Sequence, residues 1–316
     1  MTTNSINLSL DLKYRPKTLT DMVGNKSTVE SIQSLLNRKQ GPPKSFLFIG
    51  PSGCGKTTFA MIIRNLLKVS EQDTFIYNTA NTRGIDTIRK LEATCKYAPM
   101  HGTKKFYLLD ECHMLTKEAQ NALLLLLEDP PKHVYFVLCT TNSEKVLETI
   151  KTRCSTYTVS SLPRNKIMLL LKKVVKEEGI EPPLPDRNLN EIAYCSGGSC
   201  RKALKILEQV IEIADDERAF KMIQDTSIGE ATVLEICKML VEPGKGKWAE
   251  MSKLIKGVDS DTESIRYAIL GYLSAVLLNS PEGNPRIAEM MSIFVEPCMY
   301  TGKGGIVLEI YLACQL

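Results

Sequence analysis

Residues 46–57 set the strictest limit on what this chain can become. An apolar run, Phe46-Leu47-Phe48-Ile49, is followed by Gly50-Pro51-Ser52-Gly53-Cys54-Gly55-Lys56-Thr57, and then by a helix-competent segment from Thr58 to about Lys68. Strand, glycine-rich loop and helix in that order, with Gly-x-x-x-x-Gly-Lys-Thr spacing, make a P-loop. The glycines let backbone N–H groups fold around a di- or triphosphate, and the helix N-terminus adds partial positive charge. Lys56 is then the group that reaches the β- and γ-phosphates, and the Thr57 hydroxyl is a ligand for Mg²⁺.

The rest of the amino-terminal half repeats the alternation of strand and helix. A helix is expected over Lys26–Lys39, a second strand over Thr74–Tyr77 and a helix over Gly84–Cys95. Lys104 to Leu109 reads as a strand ending in Asp110-Glu111. In a parallel sheet, ligands collect at the carboxyl ends of strands, so Asp110 is the candidate Mg²⁺ carboxylate and Glu111 the candidate base for an attacking water. A helix over Lys117–Glu128 carries five consecutive leucines, 123–127, on more than one face, and is expected to be largely buried. Val134 to Cys139 is a further buried strand, delivering Thr140-Thr141-Asn142 to the same edge, with Asn142 the candidate contact to phosphate or water. Alternation of this kind predicts an α/β fold with a doubly wound parallel sheet. Beyond Pro163 only helical patterns remain, interrupted near residues 181–185, 196–198, 243–246, 281–285 and 301–305.

Charge follows the same division. Residues 1–163 hold 21 Lys+Arg against 14 Asp+Glu, whereas residues 164–316 hold 19 against 22. The basic half suits a polyanionic partner as well as a solvated lysine-rich face. Ten scattered cysteines include no C-x-x-C pair, a pattern of reduced thiols in a cytoplasmic protein, with no zinc expected. No apolar run approaches the roughly 20 residues of a membrane span.

These motifs together resemble an AAA+ clamp-loader ATPase. The residues that carry the resemblance are Lys13-Tyr14-Arg15-Pro16 with Asp21-Met22-Val23-Gly24, the P-loop, Asp110 to Leu115, Glu118 to Leu123, Glu128-Asp129-Pro130-Pro131, Thr140-Thr141-Asn142, Thr152-Arg153-Cys154 and Gly197 to Leu204. The match is similar to bacterial DNA polymerase III gamma/tau and, next, to replication factor C small subunits. It is dense in motifs over residues 11–210.

The resemblance implies three parts: a RecA-like ATPase domain over 1–163, a helical lid over 164–226 and an all-α collar for oligomerisation over 227–316. It implies a subunit of a homo- or hetero-oligomer, a pentamer, that uses ATP and Mg²⁺ to open a sliding clamp and load it on primer–template DNA within a polymerase holoenzyme. Nucleotide binding falls to Tyr14, Arg15, Pro16, Val23 and Gly24 around the adenine, and to Gly50, Pro51, Ser52, Gly53, Cys54, Gly55, Lys56, Thr57 and Thr58 around the phosphates. Asn142 and Arg201 are the two sensors. Arg153 is the finger that reaches a neighbouring subunit's site. Arg83, Arg89 and Lys90 face DNA, while Tyr97, Pro99 and Met100 form an apolar loop that packs on its own domain or touches the clamp.

Departures from the pattern are visible too. Against the gamma/tau pattern, the four-cysteine zinc module and the tau extension are missing, from which a virus-encoded or minimal loader is expected. Thr152 replaces the usual serine before Arg153, and Ser199 replaces an acidic residue near Arg201. Other readings are a helicase loader, a Holliday-junction branch-migration ATPase, or a nucleotide-binding scaffold that does not turn over. Asp110-Glu111-Cys112-His113 also spells a helicase box, but such helicases need a second strand-bearing domain.

Overall fold

A computed structural model describes residues 8–181, 184–242, 248–258, 262–296 and 302–316. The chain divides into two compact units, Met1–Asp216 and Glu217–Leu316. The first unit contains, in order, α1 (Leu10–Lys13), α2 (Lys26–Leu36), β1 (Ser45–Ile49), α3 (Lys56–Leu66), β2 (Thr74–Asn78), α4 (Ile85–Cys95), β3 (Lys105–Asp110), α5 (Lys117–Glu128), β4 (Val134–Thr140), α6 (Glu148–Arg153), β5 (Ser155–Thr158), α7 (Arg164–Glu178), α8 (Asp186–Cys195) and α9 (Cys200–Val210).

The five strands pair in the order β2-β3-β4-β1-β5, every pair parallel. Parallel strands need crossovers, and the helices that make them cover both faces. The two faces are legible in β1 by simple alternation. Phe46 and Phe48 enter one core with Phe59, Ile62 and Ile63 of α3, whereas Leu47 enters the opposite core with Leu123 and Leu127 of α5. Phe48 stacks on Phe59 and on Tyr157, both at 5.5 Å between ring centres.

Parallel pairing also aligns the carboxyl ends of the strands at one edge. Ile49 of β1 registers with Thr140 of β4 and Thr158 of β5, and Leu109 of β3 with Leu138 of β4. The P-loop, Asp110-Glu111 and the turn after Thr140 therefore emerge side by side.

Three features differ from expectation. Residues 11–25, punctuated by Pro16 and Gly24, read as loop from sequence, yet Leu10–Lys13 forms a turn of helix. Strand β5, flanked by α6, was not anticipated. Helix α5 buries Ala119, Gln120, Leu123, Leu126 and Leu127, but Leu125 is 73% exposed, so the leucine run wraps past the buried stripe.

The second unit is helical: α10 (Asp216–Val241, entering from the unit boundary), α11 (Trp248–Lys256), α12 (Thr262–Leu278), α13 (Pro285–Ile293) and α14 (Gly302–Ala313). Ile236, Met251, Ile269, Leu273, Met290, Phe294 and Ile310 form its core. Arg266, 3% exposed, donates to the carbonyl of Phe294 at 2.8 Å and pairs with Glu263 at 2.7 Å, closing the end of α13 onto α12. The last helix starts at Gly302, earlier than the glycines of 302–305 suggested. The breaks expected at 243–246 and at Pro182-Pro183 lie outside the described residues.

Phe48 offers a direct check on the first core. Phe48→Ala removes a ring buried between two others, and is expected to lower the unfolding free energy of the first unit by about 3–5 kcal/mol, read from denaturant midpoints by far-UV circular dichroism.

Candidate active site

The P-loop is shaped by what its glycines leave out. Gly50 donates its N–H to the Thr140 carbonyl at 3.1 Å, continuing the β1–β4 ladder, and a Cβ there would lie 2.0 Å from the Val159 carbonyl oxygen. Gly53 (φ +73°) and Gly55 (φ +103°) then take left-handed backbone that other residues adopt only at a cost. Gly55 is the N-cap of α3 and has no side chain to occupy the helix's first N–H groups. These open into a cleft of about 320 Å³ lined by Ser52 to Thr58, Asp110, Glu111, Tyr14 to Lys17, Met22, Val23 and, from α7 and α9, Leu170, Lys173, Cys200, Arg201 and Leu204. Lys56 is 6% exposed and its amine donates to the carbonyls of Gly50 (2.8 Å) and Pro51 (2.9 Å), which steers it along the loop.

Opposite the loop, the Thr57 hydroxyl donates to Asp110 Oδ2 at 3.1 Å, and the N–H of Glu111 donates to Asp110 Oδ1 at 3.1 Å. A hydroxyl and a carboxylate that converge in this way are the hard oxygen donors that suit Mg²⁺. Glu111 lies at φ +53°, sparsely populated for a residue with a side chain. Such backbone persists where neighbours hold it. Here Thr79, fully buried, donates its hydroxyl to the Glu111 carbonyl at 2.6 Å.

The Glu111 carboxylate accepts from the Thr141 hydroxyl at 3.2 Å and lies 3.4 Å from His113 Nδ1. Asn142 is turned elsewhere: its Oδ1 accepts the N–H groups of Glu144 (3.0 Å) and Lys145 (3.3 Å), capping the turn after β4. Thr141, not Asn142, is the residue of this triplet brought against Glu111.

The outer wall combines the segment before α2 with the helices after β5. Tyr14, Arg15, Pro16 and Val23 line the cleft; Gly24 does not. At φ +77°, a Cβ on Gly24 would meet Leu162 Cδ2 at 2.4 Å, so this glycine permits close packing behind the wall. Arg15 Nε donates to the Thr58 hydroxyl at 3.3 Å. Burial, and then the facing charge of Arg201, lower the pKa of the Arg15 guanidinium. The Tyr14 phenol is pushed up by burial and by Glu178, which also pairs with Lys13 at 2.7 Å.

Arg201 Nε lies 3.8 Å from Asp11 Oδ2. The acid facing Arg201 thus comes from α1, while Ser199 caps α9 by accepting the Lys202 N–H at 3.3 Å. Gly53 abuts this cap, since its Cβ position is 2.1 Å from Ser199 Oγ.

Other expected site residues lie away from the cleft. Arg153, at the end of α6, donates to the Thr149 carbonyl (3.1 Å) and to Glu128 (3.2 Å). Arg83, Arg89 and Lys90 are exposed around the start of α4, Arg83 donating to the Ala80 carbonyl at 2.9 Å and Arg89 pairing with Asp86 at 3.3 Å. Tyr97 and Met100 are 71% and 81% exposed, while the backbone of their loop is tied to its own domain, the Met100 and His101 N–H groups donating to buried Asp73 at 2.7 and 2.9 Å. Sequence reasoning missed Gln120. It is buried, donates to the carbonyls of Leu115 (3.2 Å) and Lys145 (3.0 Å), and accepts the Leu147 N–H at 2.9 Å. It thereby ties α5 to the turn that carries Thr141.

A parallel sheet in this strand order, with a P-loop, a Thr57–Asp110 pair and Glu111 at its carboxyl edge, defines an AAA+ nucleotide-binding protein. The solved structures agree in fold. The Thermotoga maritima RuvB Holliday junction branch migration motor matches at a TM-score of 0.61 and 19% identity over 88% of this chain and 98% of its own, and its T158V form at 0.62. At that identity the likeness is one of fold alone. Residues 63–163 match the family model described as DNA polymerase III, delta subunit.

Curated relatives are nearer in sequence. A replication factor C small subunit from Archaeoglobus fulgidus is 30% identical over 77% of this chain and 76% of its own length. A DNA polymerase III subunit gamma from Buchnera aphidicola is 29% identical over 84% of this chain and 77% of its own length. The subunit tau of Bacillus subtilis is 31% identical over 64% of this chain, which spans only 39% of that longer protein. This chain belongs to the clamp-loader ATPase family of DNA polymerase III gamma/tau and replication factor C small subunits.

Gly53 and Gly84 give a paired test of the loop. Gly53→Ala forces a methyl group into Ser199 at φ +73° and is expected to cost about 1–3 kcal/mol. Gly84, whose Cβ position meets nothing within 4 Å, is expected to accept alanine within about 0.5 kcal/mol. Thermal unfolding of both variants reads the difference.

Proposed function

We propose that this chain is an ATP-hydrolysing subunit of a clamp loader, competent only when a neighbouring subunit contributes Arg153. The observation that carries this reading is a division of parts. Lys56, Thr57, Asp110 and Glu111 converge in one cleft, whereas Arg153 lies outside it at the end of α6.

In this reading ATP lies along the cleft with its adenine against Tyr14, Arg15, Pro16 and Val23. Backbone N–H groups from Ser52 to Thr58 surround the phosphates, and Lys56 exchanges its loop carbonyls for phosphate oxygens. Thr57 and Asp110 hold Mg²⁺. The chemistry Mg²⁺ supplies when bound is neutralisation of charge between the β- and γ-phosphates. Glu111 accepts a proton from the attacking water. The sensing role expected of Asn142 passes to Thr141, whose hydroxyl bonds Glu111. Arg201 reaches the γ-phosphate from α9, with Asp11 as its partner between turnovers.

Residues 164–226 then act as a lid over the nucleotide and 227–316 as the collar of a pentamer. The assembly opens a sliding clamp and places it on primer–template DNA in the cytoplasm, with Arg83, Arg89 and Lys90 against the phosphate backbone. The exposed Tyr97 and Met100 supply clamp contacts.

Two substitutions separate binding from turnover. Glu111→Gln keeps the shape of the side chain and is expected to retain ATP binding while lowering turnover by roughly 10²–10⁴-fold. Arg153→Ala is expected to bind ATP normally and to lose roughly 10³-fold or more of the turnover stimulated by clamp and primed DNA. Nucleotide affinity by fluorescent ATP analogue and steady-state phosphate release check both. Unaltered stimulated turnover in Arg153→Ala overturns the shared-site reading.

A further inference from the structure

His113 lies against Glu111, and the reading above gives it no task. It follows the strand-end acids, its side chain is 12% exposed, and its Nδ1 lies 3.1 Å from Thr140 Oγ1 and 3.4 Å from Glu111 Oε2. The proton on that ring can be placed from its neighbours. Thr140 has one hydroxyl proton, and the Asn142 carbonyl accepts it at 3.0 Å; Thr140 Oγ1 in turn accepts the Asn142 N–H at 3.0 Å. What remains on Thr140 is a lone pair, and an ionised carboxylate offers only acceptors. Both neighbours of Nδ1 are therefore acceptors, which makes Nδ1 the protonated nitrogen.

Burial lowers the His113 pKa below its ordinary value; Glu111 opposes that shift, and Lys145 and Lys56 reinforce it. These three are the charged groups acting on the ring, and the imidazole is neutral at pH 7.

We propose that His113 is a positioning residue for hydrolysis: its Nδ1–H donates to Thr140 Oγ1 at 3.1 Å and so holds the turn whose Thr141 hydroxyl bonds the Glu111 carboxylate at 3.2 Å, with that carboxylate 3.4 Å from the ring. A cation at this position would bind the carboxylate more tightly but make it a poorer base. A neutral ring braces the turn that aims Glu111 and leaves the charge of the carboxylate uncompensated. The same contact joins the end of β3 to the turn after β4, so Glu111 and Thr141 keep their mutual distance. This inference rests on Glu111 being the base.

The test compares His113→Ala with His113→Asn, whose side-chain amide can place an N–H near the Nδ1 position. Turnover is measured with ATP, clamp and primed DNA, and affinity with a fluorescent ATP analogue. His113→Ala is expected to lower kcat roughly 10- to 100-fold, with KM and nucleotide affinity within about twofold of the parent. His113→Asn is expected to recover most of kcat. An alanine variant with parental kcat, or an asparagine variant no better than alanine at equal melting temperature, overturns the proposal. Independently of turnover, ¹⁵N spectra of the parent protein, with His113 assigned by the asparagine variant, are expected to show Nδ1 protonated at pH 7; protonation on Nε2 overturns the proposal as well. A parent protein without ATPase activity would instead count against Glu111 as a base, and the tautomer would still decide whether His113 holds the Thr140 turn as described.

Discussion

Everything at the cleft depends on the parallel ladders of the sheet, those of β1 with β4 and β5 and that of β2 with β3. The ladders do not stop where the strands do. Gly50 N–H reaches the Thr140 carbonyl at 3.1 Å, Val159 N–H the Ile49 carbonyl at 2.7 Å, and Thr79 N–H the Asp110 carbonyl at 3.0 Å. Each of these bonds carries strand register one residue into a loop. The phosphate loop, the acids and the turn that bears Thr141 are thus held at fixed spacing by backbone, before any side chain contributes. A buried amide without a partner is costly, so this spacing is insured by the same energetics that hold the sheet together.

On that frame the side chains divide between aiming and bracing. Thr57, Asp110 and Lys56 point into the cleft. Thr79, Gln120 and Thr140 face away from it, and each satisfies backbone groups that would otherwise be buried unpaired. The left-handed backbone at Glu111 is the visible cost of this division, since strand geometry alone would point residue 111 elsewhere. Thr79 offsets it by bonding the carbonyls of both Asp110 and Glu111.

Much of this was legible in the residues themselves. The P-loop, the β3 and β4 strands and the parallel sheet follow from apolar runs of strand length that end in polar residues, a pattern that burial on both faces enforces. Strand β5 was hidden because Ser155-Thr156-Tyr157-Thr158 is an edge strand with only Tyr157 buried, too short and too polar to stand out. That Thr141 meets Glu111 while Asn142 caps the following turn could not be read from spacing, because it depends on which side chain the turn directs outward. The acid facing Arg201 was equally out of sight: Asp11 belongs to a four-residue helix whose first N–H is held by Glu208 of α9 at 3.1 Å. Local pattern does not report a contact between segments so distant along the chain.

The absent side chain at Gly53 has a mechanical consequence. The loop and the cap of α9 touch with no compressible group between them, Ser199 on one side and bare backbone on the other. A side chain at position 53 would wedge the loop away from the cap of α9, and with it from the first turn that carries Arg201, whose Cβ lies 3.3 Å from the same point. The approach of those two segments is a contact made possible by having nothing there.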